Sequence, residues 1–548
     1  MQVSTVFENA SFVTDVRTGR SAEAVATSGD RIVFTGSRDE ARSLAAGSTR
    51  FVDCAGATVL PGFTDSHTHL LDGAVSRYHE IVFDASPAAT SLADVYRRMS
   101  EHAVNLGADA FVLGSNIRDE SLAERRYPVR AELDAVAGGR PIVLFSTGDH
   151  IACANSRALE IAGIDRSTPD PPGGSIDRDP SGEPTGILRE RGKLRLARGA
   201  PDTVIPRYTH ADRVSALAKI FEREIAPCGL TALDVMATSG EEVRAYHDAV
   251  VGGGLQARVN LLLRVIESEI SLAAISQAGM WPKCGDQHLR VNGVKISIDG
   301  GSLQRNAAMH HHYAGEPNNV GIVRIEEPDV VATIAQADRL GFRNVVHAIG
   351  DRACDIALGS FEQVGLRRGG DHRTRLEHFG NLPVSDEQIW RAAGIGLIAS
   401  PQPSFLQVFG DKWLDIFGEE MMQRSFPLRS LHDAGIPMIG GSDYSMTPLN
   451  PLIGVRAAVV RATASGVLLN PAQALTVGEA LDLYTGAAAW SSFDEHARGR
   501  LAPGQLADMT ALAGNPYSMD PRELDLVEVA MTIVGGAIVY RRSDVTAN

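Results

Sequence analysis

Two histidines one residue apart close the run Val59-Leu60-Pro61-Gly62-Phe63-Thr64-Asp65-Ser66-His67-Thr68-His69-Leu70. Side chains of a strand alternate between its faces with a period of two, so His67 and His69 leave the strand end on the same side. Two imidazoles converging there make half of a metal site. Alone the pair is a weak signal, because single histidines are commonly hydrogen-bonded in cores or solvated at surfaces. Three later strand-like runs strengthen it, each closing on a residue able to bind a metal. Phe342 to His347 ends at His347, Thr374 to His378 at His378, and Ile436 to Asp443 at Asp443. Between them, in Leu289 to Asp299, the alternation puts Val294, Ile296 and Ile298 on one face and Lys295, Ser297 and Asp299 on the other. A polar face turned inward near a strand end suits chemistry better than packing.

Positioning such a set requires strands that end together. Eight strand-like runs, most followed by helical sequence, lie near 58–66, 229–236, 257–266, 289–299, 342–348, 373–378, 395–400 and 436–442. This alternation predicts an α/β protein built on a (β/α)8 TIM barrel. Active sites of such barrels form at the C-terminal strand ends, where His67, His69, Lys295, His347, His378 and Asp443 all fall. Short strands lie at both chain ends: Ala10 to Val13, Glu23 to Thr27 and Arg31 to Gly36, then Gly504 to Leu512 and Val527 to Gly536. Neither set can bury a core alone, so the termini are expected to pair into one small β-sandwich. The stretch 75–225 breaks the pattern, with its own short strands (Ala110 to Gly114, Pro141 to Ser146) and the Pro/Gly-rich loop Pro169 to Gly174. It reads as an inserted α/β subdomain over the barrel mouth. The expected division is therefore 1–57 plus 495–548 for the sandwich, 58–74 plus 226–494 for the barrel, and 75–225 for the insertion.

The chain has 548 residues, 44% hydrophobic and 22% charged, enough for a large globular core. A formal net charge of -15 argues against nucleic acid or an anionic membrane as partner, since both reward clustered Lys and Arg. The five cysteines, Cys54, Cys153, Cys228, Cys284 and Cys354, are scattered and odd in number. They indicate neither a disulfide framework nor a thiolate zinc site, and a cytoplasmic location is expected. The N-terminus lacks a basic then apolar leader, and no run reaches the roughly 20 apolar residues of a membrane span. The partners expected are a small-molecule substrate and a second copy of the chain in a homodimer.

Taken in order, His67-Thr68-His69, Lys295, His347, His378 and Asp443 resemble the metal-binding set of the amidohydrolase superfamily. Asp149 to Leu159, Gly182 to Leu188, Gly293-Val294-Lys295 with Asp299-Gly300, and His347 to Asp351 are similar to one branch, the YtcJ-like or amidohydrolase 3 group. The closing Pro503 to Asp508 resembles it too, with Gln505 where a lysine is usual. Asn116-Ile117-Arg118-Asp119 departs from the aromatic that many members carry, which bears on the pocket wall.

The resemblance implies that His67 and His69, with Asp443, hold a first divalent ion and that His347 and His378 hold a second, zinc being the metal expected. A neutral Lys295 can react with carbon dioxide to a carbamate able to bridge two ions; an unmodified lysine beside a single ion is the alternative. A bound ion lowers the pKa of its water and polarises a carbonyl, so the expected reaction is attack of metal-activated hydroxide on a small-molecule C–N bond. Asp443 is the expected general acid and base. Within the branch, N-substituted formamide deformylation is the best-defined activity. A non-hydrolytic member, a cyclase, isomerase or regulatory protein on the same fold, is the alternative. His150, Asn155 and Asn116 are expected to touch substrate, and Asp351 to orient His347. The run His310-His311-His312 reads as solvated loop.

Overall fold

The computed structural model describes residues 2–543 apart from 84–87, 105, 137, 199, 201 and 368. Seven parallel strands form one sheet in chain order: Phe63–Thr68, Leu230–Ala237, Arg258–Arg264, Leu289–Ser297, Asn344–His347, Arg375–Glu377 and Ile398–Ser400. Leu230–Ala237 is buried along its whole length, as expected of a strand covered on both faces. The helices between strands are amphipathic. Asp351–Val364 buries Ala353, Ala357, Leu358 and Phe361, one stripe at three- and four-residue spacing, and stops at Gly365, whose φ of 86° favours glycine.

The eighth strand does not form as a ladder. Residues 436–444 instead cross the gap between the first and seventh strands through single bridges, Ala399 to Met438 and Thr68 to Tyr444. Ile439 donates its N–H to the Ala399 carbonyl at 3.0 Å on one side, and on the other Asp443 donates to the His67 carbonyl at 2.8 Å. The barrel is nearly closed, and the closing segment delivers Asp443 beside His67. Its two glycines cannot be replaced freely: a Cβ on Gly441 would lie 2.7 Å from the His67 Cβ, and one on Gly440 2.4 Å from the Tyr484 ring.

The first barrel strand also starts later than its apolar run suggests. Thr58–Pro61 leaves the barrel and pairs antiparallel with Met509–Leu512, and the chain enters the barrel only after Gly62. A six-stranded sheet results, ordered Ala537–Arg541, Val529–Val534, Met509–Leu512, Thr58–Pro61, Ser11–Asp15 and Arg20–Ala22, joining both ends of the chain. A second sheet holds Arg31–Gly36, Ala24–Ser28, Thr5–Glu8 and Arg50–Asp53. Phe7, Val25 and Ile32 of that sheet share one buried cluster with Val59, Met509 and Met531 of the other. The stretch between the first two barrel strands carries a mixed sheet of its own, from Ile81–Val82 through Val112–Ile117, Ile142–Ser146 and Ile151–Ala154 to Pro184–Glu190 and Gly174–Arg178. Among the described residues no helix is long and apolar enough to cross a membrane.

One buried ion pair ties the terminal sheet to the barrel. Arg258 donates through Nε and a terminal nitrogen to the two Asp508 oxygens at 2.6 and 2.9 Å, and both side chains are buried. Removing the carboxylate leaves a buried guanidinium without its partner. Asp508→Ala is therefore expected to destabilise the protein by about 3–5 kcal/mol in urea unfolding. A loss under about 1 kcal/mol would show that the pair is not holding the two parts together.

Candidate metal centre

The site is built where the strands end. His67 lies in Phe63–Thr68, Lys295 in Leu289–Ser297 and His347 closes Asn344–His347, while His69 opens the helix that follows the first strand. His378 follows its strand and Asp443 lies in the closing segment, both in left-handed backbone, with φ of 68° and 52°. Such conformations cost of order 1–3 kcal/mol for residues with a Cβ, and here they turn both side chains into the barrel mouth.

Ligand atoms of His67, His378 and Asp443 all lie within 4.8 Å of one another. His67 Nε2 is 3.4 Å and His69 Nε2 3.5 Å from Asp443 Oδ1. The His347 ring sits 4.4 Å from that of His378, and His378 5.1 Å from His67. His378 thus stands with His67 and Asp443 as well as with His347, so the four rings and the carboxylate make one continuous cluster. Lys295 lines the same cavity, together with His69, His347, His378 and Asp443.

The electrostatics suit a cation. Burial, reinforced by the Lys295 charge and by neighbouring imidazoles, holds His67, His69, His347 and His378 well below the usual imidazole range. All four are therefore neutral, with a lone pair to offer. Burial pushes the Lys295 ammonium down to about 8 against the pull of Glu377 and Asp443, and pushes Asp443 up to about 7 against Lys295. His67 Nε2, His347 Nε2 and Lys295 Nζ are buried with no hydrogen-bond partner. Unpaired buried polar atoms are rare and costly; a divalent ion would satisfy the two imidazole nitrogens, whereas Lys295 could join it only after losing its charge. Nitrogen and carboxylate donors without thiolate fit zinc, manganese or iron.

The groups that aim the ligands were not singled out from the sequence. His67 Nδ1 meets the Glu377 carboxylate, leaving Nε2 toward the cluster. Glu377 accepts from Arg375 at 2.7 and 3.0 Å and from Ser400 Oγ at 3.0 Å. Arg375 also reaches Asp234 and the Ser66 carbonyl, each at 2.5 Å. The ring of His378 is held at Nδ1 by Gln402 Oε1 at 2.6 Å. Asp65 accepts from the N–H groups of His67 and Ser442 at 3.2 and 3.0 Å, pinning the closing segment to the first strand. In Thr374 to His378 the period-two spacing does put Arg375 and Glu377 on one face, and that was the available signal.

Two expectations are corrected. Asp351 does not orient His347: it caps its own neighbourhood, accepting from the N–H groups of His310 and Arg352 at 2.9 and 2.8 Å. The carboxylate beside His347 is Asp299, two residues beyond the strand that carries Lys295, with Oδ1 3.2 Å from Nε2. Asn155 does not reach the cavity either. Its side chain caps the helix Ser156–Ala162, accepting from Ala158 N–H and Ile142 N–H at 3.0 Å each, a local bond that Asn at a helix start readily makes. His150 and Asn116 do line the cavity. His150 Nδ1 is 2.9 Å from Glu190 and its ring 6.4 Å from that of His347. Residues 310–312 are exposed, with His310 paired to Asp355 at 2.8 Å.

Comparison with known proteins agrees with this geometry. A family model described as the amidohydrolase family matches residues 50–540, and the chain belongs to that family. It is 29% identical over 529 residues to the Bacillus subtilis (strain 168) protein named amidohydrolase YtcJ, covering 96% of this chain and 97% of that one. It is also 29% identical over 530 residues to N-substituted formamide deformylase of Arthrobacter pascens, covering 95% of each. A solved metal-dependent hydrolase of Pyrococcus horikoshii OT3, itself uncharacterized, matches with a TM-score of 0.74 at 24% identity over 94% of this chain and 99% of that one, a likeness of fold.

The Glu377 contact carries a prediction for the centre. A carboxylate on the far nitrogen of a metal-binding histidine fixes its tautomer and raises its basicity, and losing it costs about 10–100-fold in metal affinity. Glu377→Gln is expected to weaken metal binding by that amount in a competitive chelator titration. Unchanged affinity would mean that His67 is not a ligand.

Proposed function

We propose that this chain is a zinc-dependent hydrolase of a C–N bond in a small-molecule amide, with N-substituted formamides as the first substrates to test. One observation carries the reading: neutral His69, His347 and His378 line one cavity of about 160 Å³ with Asp443 and an unpaired, buried Lys295, and His67 meets His378 and Asp443 at its floor. His67, His69 and Asp443 would hold one ion, His347 and His378 a second, with Lys295 between them. The deformylase relative supports the choice of substrate class.

Held there, zinc would supply a Lewis acid for the substrate carbonyl and lower the pKa of a coordinated water. The protein's own part is proton management. Asp443, with Oδ1 3.4 and 3.5 Å from the His67 and His69 rings at the cavity wall, is placed to accept a proton from water and return it to the leaving nitrogen within the same cycle. Lys295, brought down to about 8, is deprotonated often enough for its Nζ to attack carbon dioxide. The new N–C bond forms as the nitrogen gives up a proton, leaving a carbamate anion that would offer oxygen donors to the bound metal. The cavity is walled both by residues at the barrel mouth and by residues of the inserted stretch. The same reading keeps three parts, a terminal sandwich, a barrel and an insertion (75–225), but moves Thr58–Pro61 from the barrel (58–74 plus 226–494) to the sandwich (1–57 plus 495–548), because that strand pairs with Met509–Leu512.

Chelation is expected to abolish hydrolysis of N-alkyl and N-aryl formamides, and His67→Ala and His347→Ala to lose bound metal by elemental analysis. Turnover by a metal-free preparation would refute the mechanism. Asp443→Asn is expected to lower kcat by about 10²–10⁴-fold, the usual range for a lost general acid and base. Lys295→Ala is expected to be inactive and partly restored by acetate or formate, whereas a carboxylate-insensitive mutant would exclude the carbamate.

A further inference from the structure

The cavity has a second wall that the metal chemistry does not use. It is formed by the turn Arg191–Leu196, the end of the strand Arg258–Arg264, and Arg324. Most charges on it are already matched. Glu267 takes Arg264 at 2.9 Å and also Arg324, while Glu190 takes His150 at 2.9 Å, Asn306 at 2.8 Å and Arg324 at 3.3 Å. Asp149 is bound by Arg198, which Glu80 also holds. Asp72 is pushed up to about 8 by burial and the nearby acid Glu242, so it contributes little negative charge at neutral pH.

Lys193 is the exception. It lines the cavity, keeps only 8% of its surface exposed, and makes no hydrogen bond or ion pair among the described residues. It feels the Asp149 and Glu190 carboxylates without touching either, and burial together with the Arg324 and Arg264 charges holds it below the ordinary ammonium range. Beside it Arg264 spends a terminal nitrogen on Glu267 and leaves its buried Nε without a partner. Lys193 is buried along most of its length while its ammonium opens to the cavity with no carboxylate in contact, so an anion entering the cavity would meet an unpaired charge at reduced desolvation cost.

We propose that Lys193, backed by Arg264, binds a carboxylate on the substrate, so that the preferred substrates are amides bearing a free acid group rather than neutral amides. The inference rests on the hydrolase reading for the word substrate, but the anion site itself does not. A substrate held by its carboxylate on this wall would present its amide to the metal centre across the same cavity. Specificity then comes from the inserted stretch, and catalysis from the barrel.

The test is calorimetric titration of metal-replete protein with N-acetylglycine and with N-acetylglycinamide, which differ in the charge alone. Wild type is expected to bind the acid about ten- to hundredfold more tightly, the range for a hydrogen bond to a buried charge. Lys193→Met should erase that preference without changing metal content or affinity for the amide, and Lys193→Arg should keep it. Equal binding of the two ligands by wild type, or a preference that survives in Lys193→Met because the acid rests on the metal, would overturn the proposal. Should Lys193→Met not fold, loss of the preference in Lys193→Arg would equally count against it, since the charge is retained. The hydrolase reading fails separately, if no amide or formamide of either charge is cleaved while the binding preference persists.

Discussion

A guanidinium at the centre of the barrel governs the position of His67. Arg375 is fully buried between Asp234, Glu377 and the Ser66 carbonyl, and Glu377 in turn holds the Nδ1 side of His67. Barrels of this kind usually fill their interior with branched aliphatics. Here a chain of charge runs across it, and its members come from the second, sixth and first strands. Its net contribution to stability is modest, because each ion was removed from water to join it, yet opening it at any point would leave an uncompensated buried charge costing several kcal/mol. The network therefore fixes the relative register of those strands more firmly than apolar packing would. It also fixes which nitrogen of His67 faces the cluster.

The second constraint is the way the barrel closes. The segment 436–444 forms no ladder, and its backbone is satisfied by alternating bonds to the seventh and first strands. Glycines at 440 and 441 let it pass against Tyr484 and His67 at distances a Cβ would not permit. Asp65 accepts from both His67 and Ser442 and so locks the two edges. Asp443 arrives at the centre in left-handed backbone as a consequence. The strain there, and at His378, is sustained because the surrounding hydrogen bonds leave no alternative path.

The insertion supplies the remainder of the cavity. Asn116, His150 and Lys193 stand on it and line the cavity, while its own sheet is stabilised by an independent apolar core that includes Ile142, Leu144 and Ile151. Separate cores allow the substrate wall to vary while the ligands stay in place, which is the usual relation between a rigid scaffold and the loops that give it specificity.

The sequence alone pointed to the α/β barrel class and to the candidate ligands at its strand ends, because period-two alternation and the placement of His67, His347 and His378 at the ends of apolar runs are local properties. Family membership follows from the same local stretches. What the sequence left open was long-range. That Thr58–Pro61 belongs to the terminal sheet depends on pairing with Met509–Leu512, some 450 residues away. The choice of Asp299 over Asp351 beside His347, and the use of Asn155 as a helix cap, depended on which of several nearby polar groups the fold would orient toward the ring or the cavity. Glu377, Arg375 and Gln402 read in sequence as ordinary strand-end polar residues, and Lys193 as one more basic residue in a charged turn. Only the packed barrel desolvates them, and in a low dielectric the same side chains become positioning groups and an unpaired charge. Burial and partner choice are set by elements distant in the chain, so tertiary structure alone decides them.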